Sequence, residues 1–403
     1  MKKINNEILY LTYDGLRDPL GRSQIVPFVN YLAKNSYKIT LVSFEKSFED
    51  CKVKIDLNEN IIWKKFKYHK KPILFSAVYD ILTLILYIIT LRKKFRIVHC
   101  RSYVFMIPGI FVKVLFKSKL IFDMRGYWFD ERFDGKIWPK NKVIYKIVKV
   151  IEYIFVKFSD IIIVLTERMR KKLHNDYVLS KGKIFQIPTF VDLETYKILH
   201  NCENIAMNRN PWLYNRLKGK RVLVYSGSIG TVYKLKEMFN FFKVFNGYFG
   251  NAHFLIMTNG NIEMVNQLAL DNNIQKKDYS SLFIDYKDIV FWLNLSHLGL
   301  AFYEISFSSI GRSPTKLTEY FACGLPIVVN KEVGDTEELI NLRNIGIVVD
   351  DFTDKTFRKI MPQLNNLLSD NLTTYRCINT ANELFSLKRS IESYKDIYSK
   401  CGV

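Results

Sequence analysis

Residues Ser313–Asn330 read SPTKLTEYFACGLPIVVN, and this stretch sets the fold. Pro314 suits the first position of a helix. Ser313 ahead of it offers a hydroxyl cap, and the open amides of the first turn, beginning at Thr315, would face any docked anion. Lys316 adds a full positive charge. Glu319, three residues further on the same helix face, can accept hydrogen bonds from a ribose diol while lysine and amides hold phosphates. Gly324 and Pro326 stop the helix, and Ile327–Val329 follow as a buried parallel strand. The pattern suits a nucleotide diphosphate.

Working outward, short β-rich runs alternate with helical stretches, which predicts α/β architecture with parallel sheets and crossover helices. One series has strands near Ile8–Thr12, Ile39–Phe44, Ile61–Phe66, Ile97–Cys100, Leu120–Asp123, Ile161–Leu165 and Ile184–Ile187. The second has strands near Val222–Tyr225, His253–Met257, Leu282–Ile284, Leu298–Ala301, Ile327–Val329 and Ile345–Val348. The polar run Asn201–Pro211 lies between them, so the linker falls between about Pro188 and Lys218. The predicted domains are 1–195 and 196–384, with a last helix over 385–403 packing back on the first. No internal repeat is visible.

A chain of 403 residues, 48% hydrophobic and 15% aromatic, supports two cores and excludes disorder. Its 60 basic and 39 acidic residues leave +21, which calls for an anionic partner: nucleic acid, phospholipid or phosphate-rich substrate. Lysines beside apolar stripes favour the membrane, and no nucleic-acid-binding signature is present. Six scattered cysteines without a C-x-x-C pair or a nearby ligand histidine indicate neither a disulfide framework nor zinc, which fits a reducing cytoplasm. The polar start Met1–Glu7 predicts no cleavable signal peptide.

Two segments bear on membranes. Ile73–Leu91 carries one charge, Asp80, and its twelve Leu, Ile, Phe and Val residues, at about −0.3 to −0.6 kcal/mol each, outweigh one Asp at roughly +3. A span there would split the first sheet across the bilayer, so a crossover helix is expected. Lys142–Phe158 is basic and amphipathic, with Lys142, Lys146, Lys149 and Lys157 among Ile and Val. It reads as a core-packed surface helix or as a face resting on anionic phospholipid.

Three loops carry chemistry. Asp14–Arg22, with Gly15, Pro19 and Gly21, is a turn-rich loop after the first strand, suited to close backbone approach to a ligand or to a plain tight turn. Asp123–Arg132 collects Asp123, Asp130 and Glu131, two arginines and aromatic rings behind a strand, either lining a cleft or forming a structural ion-pair cluster. Gly227, Ser228 and Gly230 open the second series between strand and helix, the place for a diphosphate against backbone amides. A G-x-x-G alone is weak; its position gives it value.

Four stretches together resemble bacterial glycosyltransferases of family 4: YDGLRDPLGRSQ (Tyr13–Gln24), FDMRGYWFDER (Phe122–Arg132), YSGSIGTVYKL (Tyr225–Leu235) and SPTKLTEYFACGLP from Ser313. The resemblance implies the GT-B fold, two facing Rossmann-like domains with parallel sheets and a central cleft. It also implies retaining transfer from a UDP- or GDP-sugar to a lipid-linked or polysaccharide acceptor, as in lipopolysaccharide or capsule assembly. Lys316, Glu319 and Arg125 are then the expected catalytic residues, with Arg125 where many relatives carry a sugar-contacting histidine. Gly227, Ser228, Gly230, Arg312, Ser313, Pro314 and Thr315 would bind the donor. Asp14, Gly15, Gly21, Arg22, Asp123, Asp130 and Glu131 would line the acceptor and phosphate loops. Two departures stand out. Ser228 replaces the usual arginine, leaving Lys234 or Lys236 as the second cation, and Gly311 replaces the first carboxylate of the E-x7-E pattern. No D-x-D motif occurs, so no metal and no cofactor are expected. The partners expected are a nucleotide sugar, a lipid-linked glycan and an anionic membrane surface at the inner face of the cytoplasmic membrane. The rival readings are a GT-B-shaped epimerase or phosphorylase, and a basic membrane-binding protein without transferase activity.

Overall fold

The computed structural model describes residues 7–46, 54–69, 73–91, 93–180, 182–230 and 232–402. The chain divides into two compact units, one of Met1–Pro188 with Leu387–Val403 and the other of Thr189–Ser386. The breaks therefore fall seven residues before and two residues after the sequence-derived boundaries at 195/196 and 384/385.

The first unit is built on seven strands: β1 (Glu7–Thr12), β2 (Lys38–Glu45), β3 (Ile61–Lys67), β4 (Ile97–Arg101), β5 (Lys119–Asp123), β6 (Ile161–Val164) and β7 (Ile184–Gln186). They pair in parallel in the order β3-β2-β1-β4-β5-β6-β7. Ile8 pairs with Ile39 on one side and Ile97 on the other. The central strands are buried along almost their whole length, which is why they read as continuous apolar runs. Because β1 sits between β2 and β4, the chain reverses winding at β1/β4. That is the switch point where ligands of open α/β sheets collect, beyond the carboxyl ends of the strands.

The second unit has six parallel strands, β8 (Arg221–Ser226), β9 (Ala252–Met257), β10 (Tyr279–Leu282), β11 (Leu298–Ala301), β12 (Ile327–Asn330) and β13 (Gly346–Val349), in the order β10-β9-β8-β11-β12-β13. Its switch point is β8/β11. β10 starts three residues before the stretch expected from Leu282–Ile284. Tyr279–Leu282 pairs with Phe254–Met257, whereas Phe283, the apolar residue that suggested the later strand, is exposed.

The helix Ile73–Thr90 is the crossover between β3 and β4. Its Asp80 is 1% exposed, accepts a hydrogen bond from the Tyr13 hydroxyl at 3.0 Å and lies 2.7 Å from His69 Nδ1. The one charge of the segment thus faces protein. No helix among the described residues is long and apolar enough to cross a membrane. The helix Lys142–Phe158, capped by the Asn141 side chain, buries Val148, Glu152, Phe155 and Val156. It leaves Val143, Ile147, Val150, Tyr153, Ile154 and Phe158 exposed, so core packing uses only a narrow stripe. The last helix, Leu387–Lys400, belongs to the first unit and buries Ile391, Tyr394, Ile397 and Tyr398.

Candidate functional site

In the second unit, the helix Thr315–Ala322 starts one residue later than expected. Pro314 is its N-cap and no side chain caps it. Ser313 is diverted: its carbonyl accepts from the Thr189 hydroxyl at 2.9 Å, its own hydroxyl accepts from the Thr189 amide at 3.2 Å, and the two hydroxyls are 2.9 Å apart. With the hydroxyl engaged there, the helix terminus at Thr315 and Lys316 is left without a side-chain cap.

Lys316 is 6% exposed, and its Nζ finds no hydrogen-bond partner among the described residues. The ammonium lies 4.0 Å and 4.1 Å from the ring centroids of Tyr225 and Tyr233, with Tyr303 at 5.8 Å. Cation–π contact offsets only part of the lost hydration. Burial pushes the lysine down to about 7, with Glu319 pulling the other way. Glu319 is half-buried and is pushed up to about 7 by desolvation, against the influence of Lys316 and Tyr196.

The lysine ends against the loop after β8. A Cβ on Gly227 would stand 2.8 Å from Lys316 Nζ, and Gly227 has φ +136°, so only glycine fits there. The Gly227 amide is spent on the Met257 carbonyl at 2.9 Å. The next three amides, of Ser228, Ile229 and Gly230, make no hydrogen bond among the described residues, while the Ser228 carbonyl accepts from the Tyr225 hydroxyl. Successive free amides beside a cation form an anion-binding concavity. Arg312 donates through Nη1 to the Glu304 carbonyl and the Ser309 hydroxyl, holding the 3₁₀ turn Phe307–Gly311. Lys234, one of the two candidates with Lys236 for the loop's second cation, is paired with Glu304 and Glu237.

In the first unit, residues at the carboxyl ends of β1, β4 and β5 converge on the β1/β4 switch point. Asp123 is fully buried. Its Oδ2 lies 3.6 Å from Arg101 Nη1 and 3.5 Å from His99 Nε2, its Oδ1 is 3.7 Å from Arg125 Nη1, and the Tyr394 hydroxyl donates to it at 3.4 Å. Burial alone would raise its carboxyl, but Arg125, His99 and Arg101 outweigh burial and hold it low. His99 is shifted down by burial, which exceeds the pull of Asp123, and its Nδ1 lies 2.7 Å from the Tyr398 hydroxyl. Arg125 has φ +53°, a left-handed conformation that side chains other than Gly, Asn and Asp rarely adopt. Asp14 is half-exposed and accepts from Arg101 Nε at 3.4 Å.

The glycines of the Asp14–Arg22 loop serve packing. A Cβ on Gly21 would stand 2.0 Å from the Gly15 carbonyl oxygen, and one on Gly15 would be 3.0 Å from Glu45. Glu45, buried at the end of β2, accepts from the amides of Leu16 and Arg17 at 2.8 and 3.3 Å and from the Ser43 hydroxyl at 2.6 Å, fixing the loop; Arg22 is half-buried on the helix that follows. Asp130 is also structural. Its carboxylate is committed to the Tyr145 hydroxyl at 2.8 Å and Lys149 at 3.0 Å, and Lys149 also binds buried Glu152. Glu131, next along the helix Trp128–Asp134, is half-buried. No group of three His, Cys, Asp or Glu residues able to hold a metal occurs among the described residues.

Sequence reading missed Arg101, Glu45, His99 and the tyrosines Tyr394 and Tyr398. The available signal was a charge closing an otherwise apolar strand, Glu45 after ITLVSF and Arg101 after IVHC.

Residues 24–195 match the sequence family described as Glycosyltransferase Family 4. The matched segment, most of the first unit, is that of a glycosyltransferase. No curated protein sequence matches the glycosyltransferase significantly. Among solved structures, sucrose-phosphate synthase from Thermosynechococcus elongatus superposes with a TM-score of 0.72 at 9% identity, covering 98% of each chain. Anabaena HepE in complex with UDP and glucose gives 0.68 at 12%, covering 97% of this glycosyltransferase and 99% of HepE. A Listeria monocytogenes protein assigned as a UDP-N-acetylglucosamine 2-epimerase gives 0.63 at 14%, covering 98% and 97%. At such identities the likeness is one of fold, and the two parallel-sheet Rossmann-like units are those of the GT-B glycosyltransferases.

Proposed function

We propose that this glycosyltransferase is a retaining enzyme that moves a sugar from a UDP- or GDP-sugar to a lipid-linked or polysaccharide acceptor, working from the inner face of the cytoplasmic membrane. The observation that carries this reading is the Lys316 ammonium against a loop with three amides, all without hydrogen-bond partners among the described residues, at the β8/β11 switch point. HepE, a protein of the same fold, is known in complex with UDP and glucose.

The chemistry follows from the charges. Breaking the sugar–phosphate bond builds negative charge on the diphosphate, so donors fixed beforehand around it lower the barrier selectively. Each charge-assisted hydrogen bond contributes about 1.5–3 kcal/mol and a helix N-terminus up to about 2. The three loop amides, the terminus at Thr315 and Lys316 together approach the lower end of the ~8–23 kcal/mol that enzymes supply. Glu319 accepts the ribose hydroxyls. In this scheme no divalent metal takes part. Membrane attachment is peripheral, through the exposed apolar residues and lysines of Lys142–Phe158.

Calorimetric titration with UDP and GDP, followed by turnover assays with and without a lipid-linked saccharide, tests the reading. Micromolar nucleotide binding, acceptor-dependent turnover that survives EDTA, and a product retaining the donor's anomeric configuration are expected. Turnover of the nucleotide sugar without any acceptor, releasing an epimer, would replace transfer with epimerisation. Release from membranes by high salt is expected; a requirement for detergent would overturn peripheral attachment.

A further inference from the structure

The β1/β4 switch point brings together two guanidinium groups whose donors the first unit uses only in part. Arg101 and Arg125 have side chains 4% and 11% exposed; Arg101 bonds Asp14 at 3.4 Å and the Tyr10 hydroxyl, and Arg125 makes no hydrogen bond among the described residues. Their shared carboxylate, Asp123, stays at 3.6 and 3.7 Å, beyond hydrogen-bonding distance of both. Two arginines gathered around one carboxylate, one of them without a hydrogen bond among the described residues, need an explanation.

Simple neutralisation of Asp123 does not supply one. Asp123 is already contacted by His99 and the Tyr394 hydroxyl, and His99 is braced by Tyr398, so three groups besides the arginines orient that carboxylate. The carboxylate acts as a post holding both guanidinium planes at the strand ends while leaving their N–H groups open. The left-handed backbone at Arg125 and φ +120° at Gly126 turn the chain back so that the Arg125 side chain returns to this point. A planar fork of donors matches an oxyanion bidentately, which a lysine could not do.

We infer that Arg101 and Arg125 form an oxyanion-binding site that reads a phosphate or carboxylate carried by the acceptor. This rests on the transferase reading and narrows its acceptor to an anionic saccharide. Tyr394, Tyr398 and His99 are positioning residues, acting through Asp123.

The test uses full-length protein saturated with UDP, so that the donor site is filled, titrated calorimetrically with a hexose 1-phosphate, glucuronate and inorganic phosphate. At least one of these probes is expected to bind below about 1 mM, with the preferred probe naming the oxyanion. Arg125→Gly suits the left-handed backbone, removes the fork without backbone cost, and is expected to weaken that binding at least tenfold with UDP affinity unchanged. Arg125→Lys, keeping charge without the fork, should recover only part of the loss. Probe affinity equal in wild type and both variants, or no probe binding up to about 10 mM, overturns the inference. A loss of binding to phosphatidylglycerol vesicles in the variants, with soluble-probe affinity intact, also overturns it by making the arginines a lipid-headgroup contact. Failure of wild type to bind UDP at all would instead remove the transferase reading beneath it.

Discussion

Replacing Lys316 by Met is expected to make the protein more stable and less able to bind nucleotide. A fall from 10.5 to about 7 corresponds to roughly 5 kcal/mol at ~1.36 kcal/mol per tenfold change in acidity, as an upper limit on what the buried ammonium costs the fold. The sign follows from proton counts. Between pH 7 and 10.5 the unfolded chain keeps the lysine proton that the folded chain has lost, so wild-type stability rises with pH there. Below pH 7 the whole penalty is present. Glu319, raised to about 7, behaves oppositely: its penalty is full above pH 7 and gone below its unfolded value. Met fits the lysine's volume but removes the cation that restrains the Glu319 carboxyl, so only part of the penalty is recovered. A gain of about 1–3 kcal/mol at pH 6.5 is expected, shrinking toward pH 9.5, against a 10- to 100-fold loss of UDP affinity for one charge-assisted contact. Urea unfolding at the two pH values and calorimetric UDP titration measure both arms. A Met variant that is less stable at pH 6.5 and binds UDP normally would make Lys316 a structural residue and refute the reasoning.

The other expectations concern the surrounding framework. Gly227→Ala forces a Cβ against Lys316 Nζ at a φ of +136°, and should cost about 1–3 kcal/mol in urea unfolding and at least tenfold in UDP affinity. Glu45→Gln removes the charge that holds the Leu16 and Arg17 amides; faster proteolytic nicking within residues 14–22 and a stability loss of about 1–3 kcal/mol should follow. Asp130→Asn weakens the Tyr145–Lys149 cluster and should lower the melting temperature while leaving kcat within twofold, since that carboxylate is occupied inside the fold.

The fold was legible in the sequence because both sheets are parallel and their central strands, buried along their length, appeared as apolar runs between helical stretches. The one displaced strand, β10, begins with Tyr279 and two serines, and pairing with β9 outweighed the apolar pull of Phe283 and Ile284. Residues of the second unit came together largely as read, since Lys316 and the Gly227 loop are each marked by local sequence. Two details could not be foreseen: that Ser313 is captured by Thr189, and that the lysine enters a nest of tyrosines contributed by β8, the loop before Lys234, and the end of β11. Both depend on contacts between residues far apart in the chain. The same reason hid Arg101 and the tyrosines from residues 394 and 398, whose partners lie about 300 positions upstream.

The placement of residues 387–403 in the first unit makes that unit discontinuous. During synthesis, everything needed by the second unit has emerged once residue 386 clears the ribosome, whereas the first unit still lacks the helix that seals His99 and Tyr10. The amino-terminal half is therefore the later of the two to reach its final state, an inversion of the usual vectorial order. A nascent chain stalled before residues 387–403 emerge would expose an unfinished polar pocket that chaperones or proteases can recognise.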